Sequence, residues 1–380
     1  IGDHEGFEVL DRALELGVFH WDNACSYNAG SGNSERLLGR YFAARPKTVR
    51  DQVVLATKIH NPVREEHQMQ ADFTPNQNGG SRKYIRYAVD KCLERMQTDC
   101  IDLLYLHQPV VDDEGEYRTP LDETWAAFDD LVTQGKVNYL AVSNHSAKQL
   151  EDAVDMMSEV GADLSRRIVS IQNRYNLLER GKVASQPDGD EAALLGAAKK
   201  AGVGVVPYYP LASGLLTGRY RKGQLDSADG RIIDDKLQDE FLTDVNLTAV
   251  EGLIEVAEEK GISLPQLAIA WLLSNPNVPS VIAGVSKMTQ LEDNVKAAQV
   301  ELSEDELRRS TRSWKAPSCC SQISFGRHPA TQQWPMPPVR NGGWLQLNTG
   351  HLIGSPERSR ATCRCSRGDR SKIGRASCRE

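Results

Sequence analysis

A regular alternation of short apolar runs with longer amphipathic segments constrains this chain more than anything else in it. Seven runs read as strands: 18–22, 53–58, 101–106, 139–142, 169–172, 203–207 and 280–283. Each is short and mostly apolar, as a strand covered on both faces should be. The segments between them repeat at helical spacing. Over 81–97, Ile85, Ala88, Val89, Cys92, Leu93 and Met96 recur at intervals of three and four, behind Ser81 as a candidate N-cap. The segments 121–134, 147–160 and 191–201 read the same way. Such a βαβα order implies a parallel sheet covered by helices.

A closed barrel of this kind has eight strands, and seven are legible. The chain opens on a helix over 5–16, so the expected architecture is an α/β fold, a (β/α)₈ TIM barrel lacking its first strand, over residues 1–312. The interval from Pro207 to Ala283 departs from the regular spacing. It holds a Gly-rich loop, a polar excursion at 225–240 and two helices, at 245–260 and 265–274.

Residues 313–380 differ in kind. They carry 11 Lys and Arg against 3 Asp and Glu, and only 8 Val, Ile, Leu or Phe. They also hold Cys319, Cys320, Cys363, Cys365 and Cys378, five of the eight cysteines. A segment so poor in apolar surface does not offset its ordering entropy. It reads as a disordered or non-native tail that does not pack on the barrel, leaving the sheet open where the first strand should lie.

Charge narrows the function classes. The chain has a formal net charge of −7, with the excess acid in the body, which argues against a nucleic-acid partner. No apolar run is long enough to cross a bilayer, and no secretory signal is visible at the start. The body keeps only Cys25, Cys92 and Cys100, which suits a reduced, cytoplasmic protein with no disulfide framework and no metal cluster.

Four polar residues stand at or just past strand ends: Asp22 closes FHWD, Tyr27 follows in DNACSY, Lys58 closes VVLATK, and His107 follows IDLLYL. In a parallel β/α barrel those ends open into one cleft. An acid, a phenol, an ammonium and an imidazole gathered there suit carbonyl reduction, because hydride addition builds negative charge on oxygen that a proton donor must quench. Tyr27 is the expected donor. Lys58, held charged by Asp22, is expected to lower the phenol's pKa, and His107 to align the substrate oxygen.

Over 2–307 the sequence resembles the aldo-keto reductases, on WDNACSYNAGSGNSERLLG, LATK, SRKYIRYAVDKCLERMQTDCIDLLYLHQP, YLAVSNHS, IQNRYNLLER, VVPYYPLASGLLTGRY and VIAGVSKMTQLEDNVKA. The mix is most similar to bacterial oxidoreductases related to potassium-channel β subunits. The resemblance implies a catalytic set of Asp22, Tyr27, Lys58 and His107, and NADP(H) lying across the barrel mouth. It implies that Ser143, Asn144 and Gln172 bond the nicotinamide amide and that Tyr208 stacks on the ring. Leu211, Ser213 and Arg219 would follow the pyrophosphate. Gly284, Ser286, Lys287, Gln290, Asp293 and Asn294 would hold the adenosine end, with Lys287 beside the 2′-phosphate and a helix N-terminus favouring anions. Two positions depart from the family pattern: Asn28 replaces a common Gly, and Tyr209 replaces a common Ser and is expected to narrow the pocket.

The sequence thus points to NADPH-dependent reduction of a small aldehyde or ketone. The alternatives are a nucleotide-binding regulatory module resembling a channel β subunit, and an inactive fragment. Substrate choice is expected to rest on the loops 61–80, 109–119 and 224–240.

Overall fold

The computed structural model describes residues 3–63, 77–112, 114–160, 168–181, 190–225, 229–312, 345–348 and 351–353. Its strands are β1 (His20–Asp22), β2 (Val54–Ile59), β3 (Ile101–Leu106), β4 (Val137–Ser143), β5 (Ile168–Gln172), β6 (Gly204–Val205), β7 (Gly284–Val285), β8 (Leu345–Asn348) and β9 (His351–Ile353). From β1 to β6 every neighbouring pair is parallel and follows chain order. The helices between them begin where local chemistry starts them. Ser81 accepts from Tyr84 N ahead of Arg82–Met96. Ser146 and Gln149 form a capping box ahead of Ala147–Glu159, and Asp190 accepts from two amides ahead of Glu191–Ala201. Each cap satisfies amides that have no partner within the helix.

Alternation along each strand separates two cores. On the inner face Ala56, Leu103, Tyr105 and Ala141 pack together. On the outer face Leu55, Ile59, Leu104 and Leu106 join the large cluster under the helices. Trp21 belongs to that outer layer and stacks on Phe42 at 5.8 Å. The neighbouring side chains of β1 and β2, Asp22 and Lys58, are therefore turned inward.

The sheet ends approach each other. Tyr208 bridges both Arg174 and Ile282 in parallel, and Ile282 N donates to Pro207 O at 2.8 Å. The expected strand at 280–283 thus runs beside β6, and its continuous ladder begins only at Gly284. On the other side, β8 pairs antiparallel with β1, β8 with β9, and β9 runs parallel to β7. These two short strands thus stand in the gap between β1 and β7 where the sequence predicts an open sheet. The outer edges of β1 and β7 each present backbone donors and acceptors that need partners, and a short hairpin supplies them. The rest of 313–380, including its five cysteines, lies outside the described residues.

Candidate active site

The four residues expected to carry chemistry are brought together at the C-terminal end of the parallel strands. Lys58 reaches its position from β2 with its side chain 1% exposed. Its ammonium pairs with Asp22 Oδ2 and donates to Asn23 O at 2.8 Å and to the Tyr27 hydroxyl at 3.0 Å. Tyr27 lies in the short helical turn Tyr27–Gly30 that follows β1, and its hydroxyl is 3.5 Å from Asp22 Oδ2. Gln172, at the end of β5, donates to the other Asp22 oxygen at 2.8 Å. The His107 ring stands edge-on to Tyr27 with centroids 6.2 Å apart.

Burial sets the titration of this group. Removal from water lowers the Lys58 pKa, against the opposing pull of Asp22. It likewise raises Asp22 above the usual carboxylate range, against the pull of Lys58. Burial and then the Asp22 charge push the Tyr27 phenol well above its ordinary value. The expected lowering by Lys58 is therefore corrected. The ammonium is close enough, but Asp22 offsets its charge and desolvation of the phenolate outweighs what remains. His107 is held well below the usual imidazole range by burial, with Lys58 and His60 adding to it, and its Nδ1 is buried without a hydrogen-bond partner among the described residues.

Tyr105, which no motif marks, also faces this site. Its ring lies 5.5 Å from the Lys58 ammonium, and its hydroxyl bonds Ser170 Oγ at 3.1 Å. The signal was available: it stands two residues before His107 and so shares its face of the strand.

The residues expected around a nicotinamide form one linked chain. Ser143 Oγ donates to Gln172 O at 2.7 Å. Asn144 Nδ2 donates to His107 O at 2.9 Å, and the Tyr208 hydroxyl donates to Asn144 Oδ1 at 2.7 Å. Tyr209 is clasped between Arg174 and Arg231, at 5.3 and 5.0 Å from its ring. Leu211 and Ser213 lie where the chain turns through left-handed backbone at Ala212 (φ 46°), Ser213 (φ 56°) and Gly214 (φ 97°). Arg219, half-exposed, faces Asp229 at 3.6 Å.

The expected adenosine-binding set is split. Lys287 is exposed at the start of the helix Met288–Lys296. Gln290 Oε1 accepts from Ser286 N at 2.7 Å and from Lys287 N at 3.1 Å. Gly284 lies in β7, and Asn294 is buried on the same helix. Asp293 faces elsewhere: its two oxygens accept from Ser263 Oγ and Gln266 Nε2, each at 2.7 Å.

These residues fit a dinucleotide. Four of the six non-glycine residues with positive φ among the described residues, Asn144, Tyr209, Ala212 and Ser213, gather at the ends of β4 and β6. Backbone held in sparsely populated conformations marks a site whose shape is over-determined by its surroundings. The exposed Lys287 adds positive charge at the start of Met288–Lys296, an arrangement that suits an anion.

Comparison with known proteins agrees with this geometry. The profile of the Aldo/keto reductase family matches residues 1–315. The chain is 33% identical over 294 residues to an L-glyceraldehyde 3-phosphate reductase of Escherichia coli (strain K12), covering 76% of this chain and 77% of that protein. It is 32% identical to an uncharacterized oxidoreductase of Bacillus subtilis (strain 168), covering 80% and 84%. It is 34% identical to a probable voltage-gated potassium channel subunit beta of Arabidopsis thaliana, covering 78% and 82%. The family implies a (β/α)₈ barrel and NAD(P)H, and its reductase-named members support oxidoreductase chemistry. Among the described residues no helix is long and apolar enough to cross a membrane. On its matched length and its barrel-mouth geometry, the chain belongs to the aldo-keto reductase family.

Proposed function

We propose that the protein reduces a small aldehyde or ketone to the alcohol at the expense of NADPH, with Tyr27 as proton donor. The bound dihydronicotinamide supplies the hydride. The reading rests above all on one observation: the Tyr27 hydroxyl lies 3.0 Å from the Lys58 ammonium, inside a buried pair with Asp22. A phenol with a raised pKa keeps its proton at neutral pH and so stays loaded as an acid. An alkoxide is a far stronger base than a phenolate, so it still takes that proton. Lys58 then donates to the phenolate left behind, and Asp22 keeps Lys58 charged and aimed. Neutral His107 orients the carbonyl oxygen.

Ser143, Asn144, Gln172 and Tyr208 would hold the nicotinamide end, Leu211, Ser213 and Arg219 the pyrophosphate, and Gly284, Ser286, Lys287, Gln290 and Asn294 the adenosine end. Asp293 would act through Ser263 and Gln266 rather than on the cofactor. The test is NADPH consumption with a panel of small aldehydes, including phosphorylated hydroxyaldehydes of the kind named by the Escherichia coli relative. Tyr27→Phe should lose nearly all turnover while its NADPH affinity stays within about twofold, because the phenol acts in the chemical step. Undiminished turnover in that variant would falsify the mechanism. NADPH binding with no turnover by the wild type would favour the regulatory-module reading that the channel-subunit relative suggests.

A further inference from the structure

A buried polar network stands on the outer face of β2, one residue from Lys58. Thr57 is fully buried among the apolar side chains of the outer layer. Its hydroxyl donates to Glu35 Oε1 at 2.7 Å. Glu35, also fully buried, accepts on Oε2 from Arg95 Nε at 2.6 Å, and Arg95 reaches Cys92 Sγ at 3.5 Å. Three elements meet there: β2, the helix Asn33–Ala43 and the helix Arg82–Met96.

The sequence around Glu35 is built for that approach. A Cβ on Gly39 would stand 2.2 Å from Arg95 O, and one on Gly32 2.7 Å from Arg95 Cδ. Glycine at both positions lets the Arg95 segment come close enough to pair with Glu35. Burial works against the Arg95 charge, yet the Glu35 carboxylate beside it carries its pKa above the ordinary arginine value. A buried charge pair fully met by hydrogen bonds is a rigid one, and losing one partner leaves the other stranded.

The network also spans the two halves of the catalytic site. Glu35 lies on the helix that follows the Tyr27 turn, and Thr57 precedes Lys58. Adjacent strand residues face opposite sides, so fixing Thr57 outward fixes Lys58 inward. We infer that Glu35, held by Arg95 and bonded to Thr57, is a positioning element that sets the Lys58 ammonium against the Tyr27 hydroxyl. This rests on the proposed role of Tyr27, which Tyr27→Phe tests separately.

The experiment compares Thr57→Val, which keeps the shape and removes the hydroxyl, with Thr57→Ser, which keeps the hydroxyl. In Thr57→Val, kcat should fall roughly tenfold to a hundredfold, the loss expected of a small misplacement of reacting groups. The KM for aldehyde and the affinity for NADPH should stay within about twofold, and Thr57→Ser should restore most of kcat. Glu35→Asp, one methylene too short to meet both partners, should show the same selective loss. A folded Thr57→Val or Glu35→Asp protein with wild-type kcat overturns the proposal, as does a Thr57→Ser protein no better than Thr57→Val. If neither Thr57→Val nor Glu35→Asp folds, the network is a folding element only and the proposal also fails. A wild type that turns over nothing, or a Tyr27→Phe variant that turns over normally, strikes at the proposed function instead.

Discussion

Lys58 shows how far one residue's role depends on its neighbours. Alone at a strand end it would be an ordinary solvated charge. With Asp22 paired to it and Tyr27 at 3.0 Å, it is buried and directional. Lys287 is the opposite case, an exposed cation whose proposed part is to read the 2′-phosphate. One such charge-assisted contact contributes about 1–2 kcal/mol, or roughly a tenfold preference. Lys287→Ala should therefore weaken NADPH binding by about that factor and leave NADH nearly unchanged. Equal losses for both cofactors in a fluorescence titration would show that Lys287 does not read the phosphate.

At the scale of elements, the hairpin of β8 and β9 is the unexpected part. It pairs with β1 on one side and β7 on the other, where each edge would otherwise present unpaired backbone groups. Truncation after Arg312 should lower the melting temperature and promote association, since unpaired edges recruit other chains. An unchanged melting temperature and a monomeric truncated protein would show that the hairpin adds nothing to stability. The helices behave more simply. Arg82–Met96 and Glu191–Ala201 begin at Ser81 and Asp190, whose side chains cap them. Helix caps are local devices, and local devices are legible without a fold.

At the scale of the whole molecule, the barrel interior imposes a dependence on pH. His20 and His145 are buried, and burial lowers each to about 4, with Lys58 also acting on His20. His107 is also held well below the ordinary imidazole value, by burial and then Lys58. The unfolded chain takes up these protons near pH 6.5 while the folded protein refuses them until about pH 4. Protonation therefore favours unfolding, and stability is present above pH 6.5 and lost as the pH falls from there toward 4. His20 and His145 each account for about 3 kcal/mol of that loss by linkage. Urea unfolding at pH 7 and pH 4.5 should show the drop, and His145→Gln should flatten it. A midpoint independent of pH over that window would contradict the assignment. The same burial predicts that His107 adds no acid limb to kcat/KM near the ordinary imidazole pKa.

The amino-acid order by itself determined the run of strands and helices, because short apolar runs and a 3.6-residue periodicity are local. It also determined which side chains face the cleft, since Asp22, Lys58 and His107 stand at ends of successive parallel strands and those ends share one mouth. What only the tertiary structure decided are quantities summed over distant atoms. The direction of the Tyr27 shift follows from desolvation by surroundings drawn from several strands, which no motif records. Asp293 is turned to Ser263 and Gln266 by packing between two helices. Thr57 finds Glu35 across 22 residues and Glu35 finds Arg95 across 60. The sheet is completed by strands more than three hundred residues after β1, too short to show a period, because an open edge accepts any backbone that reaches it.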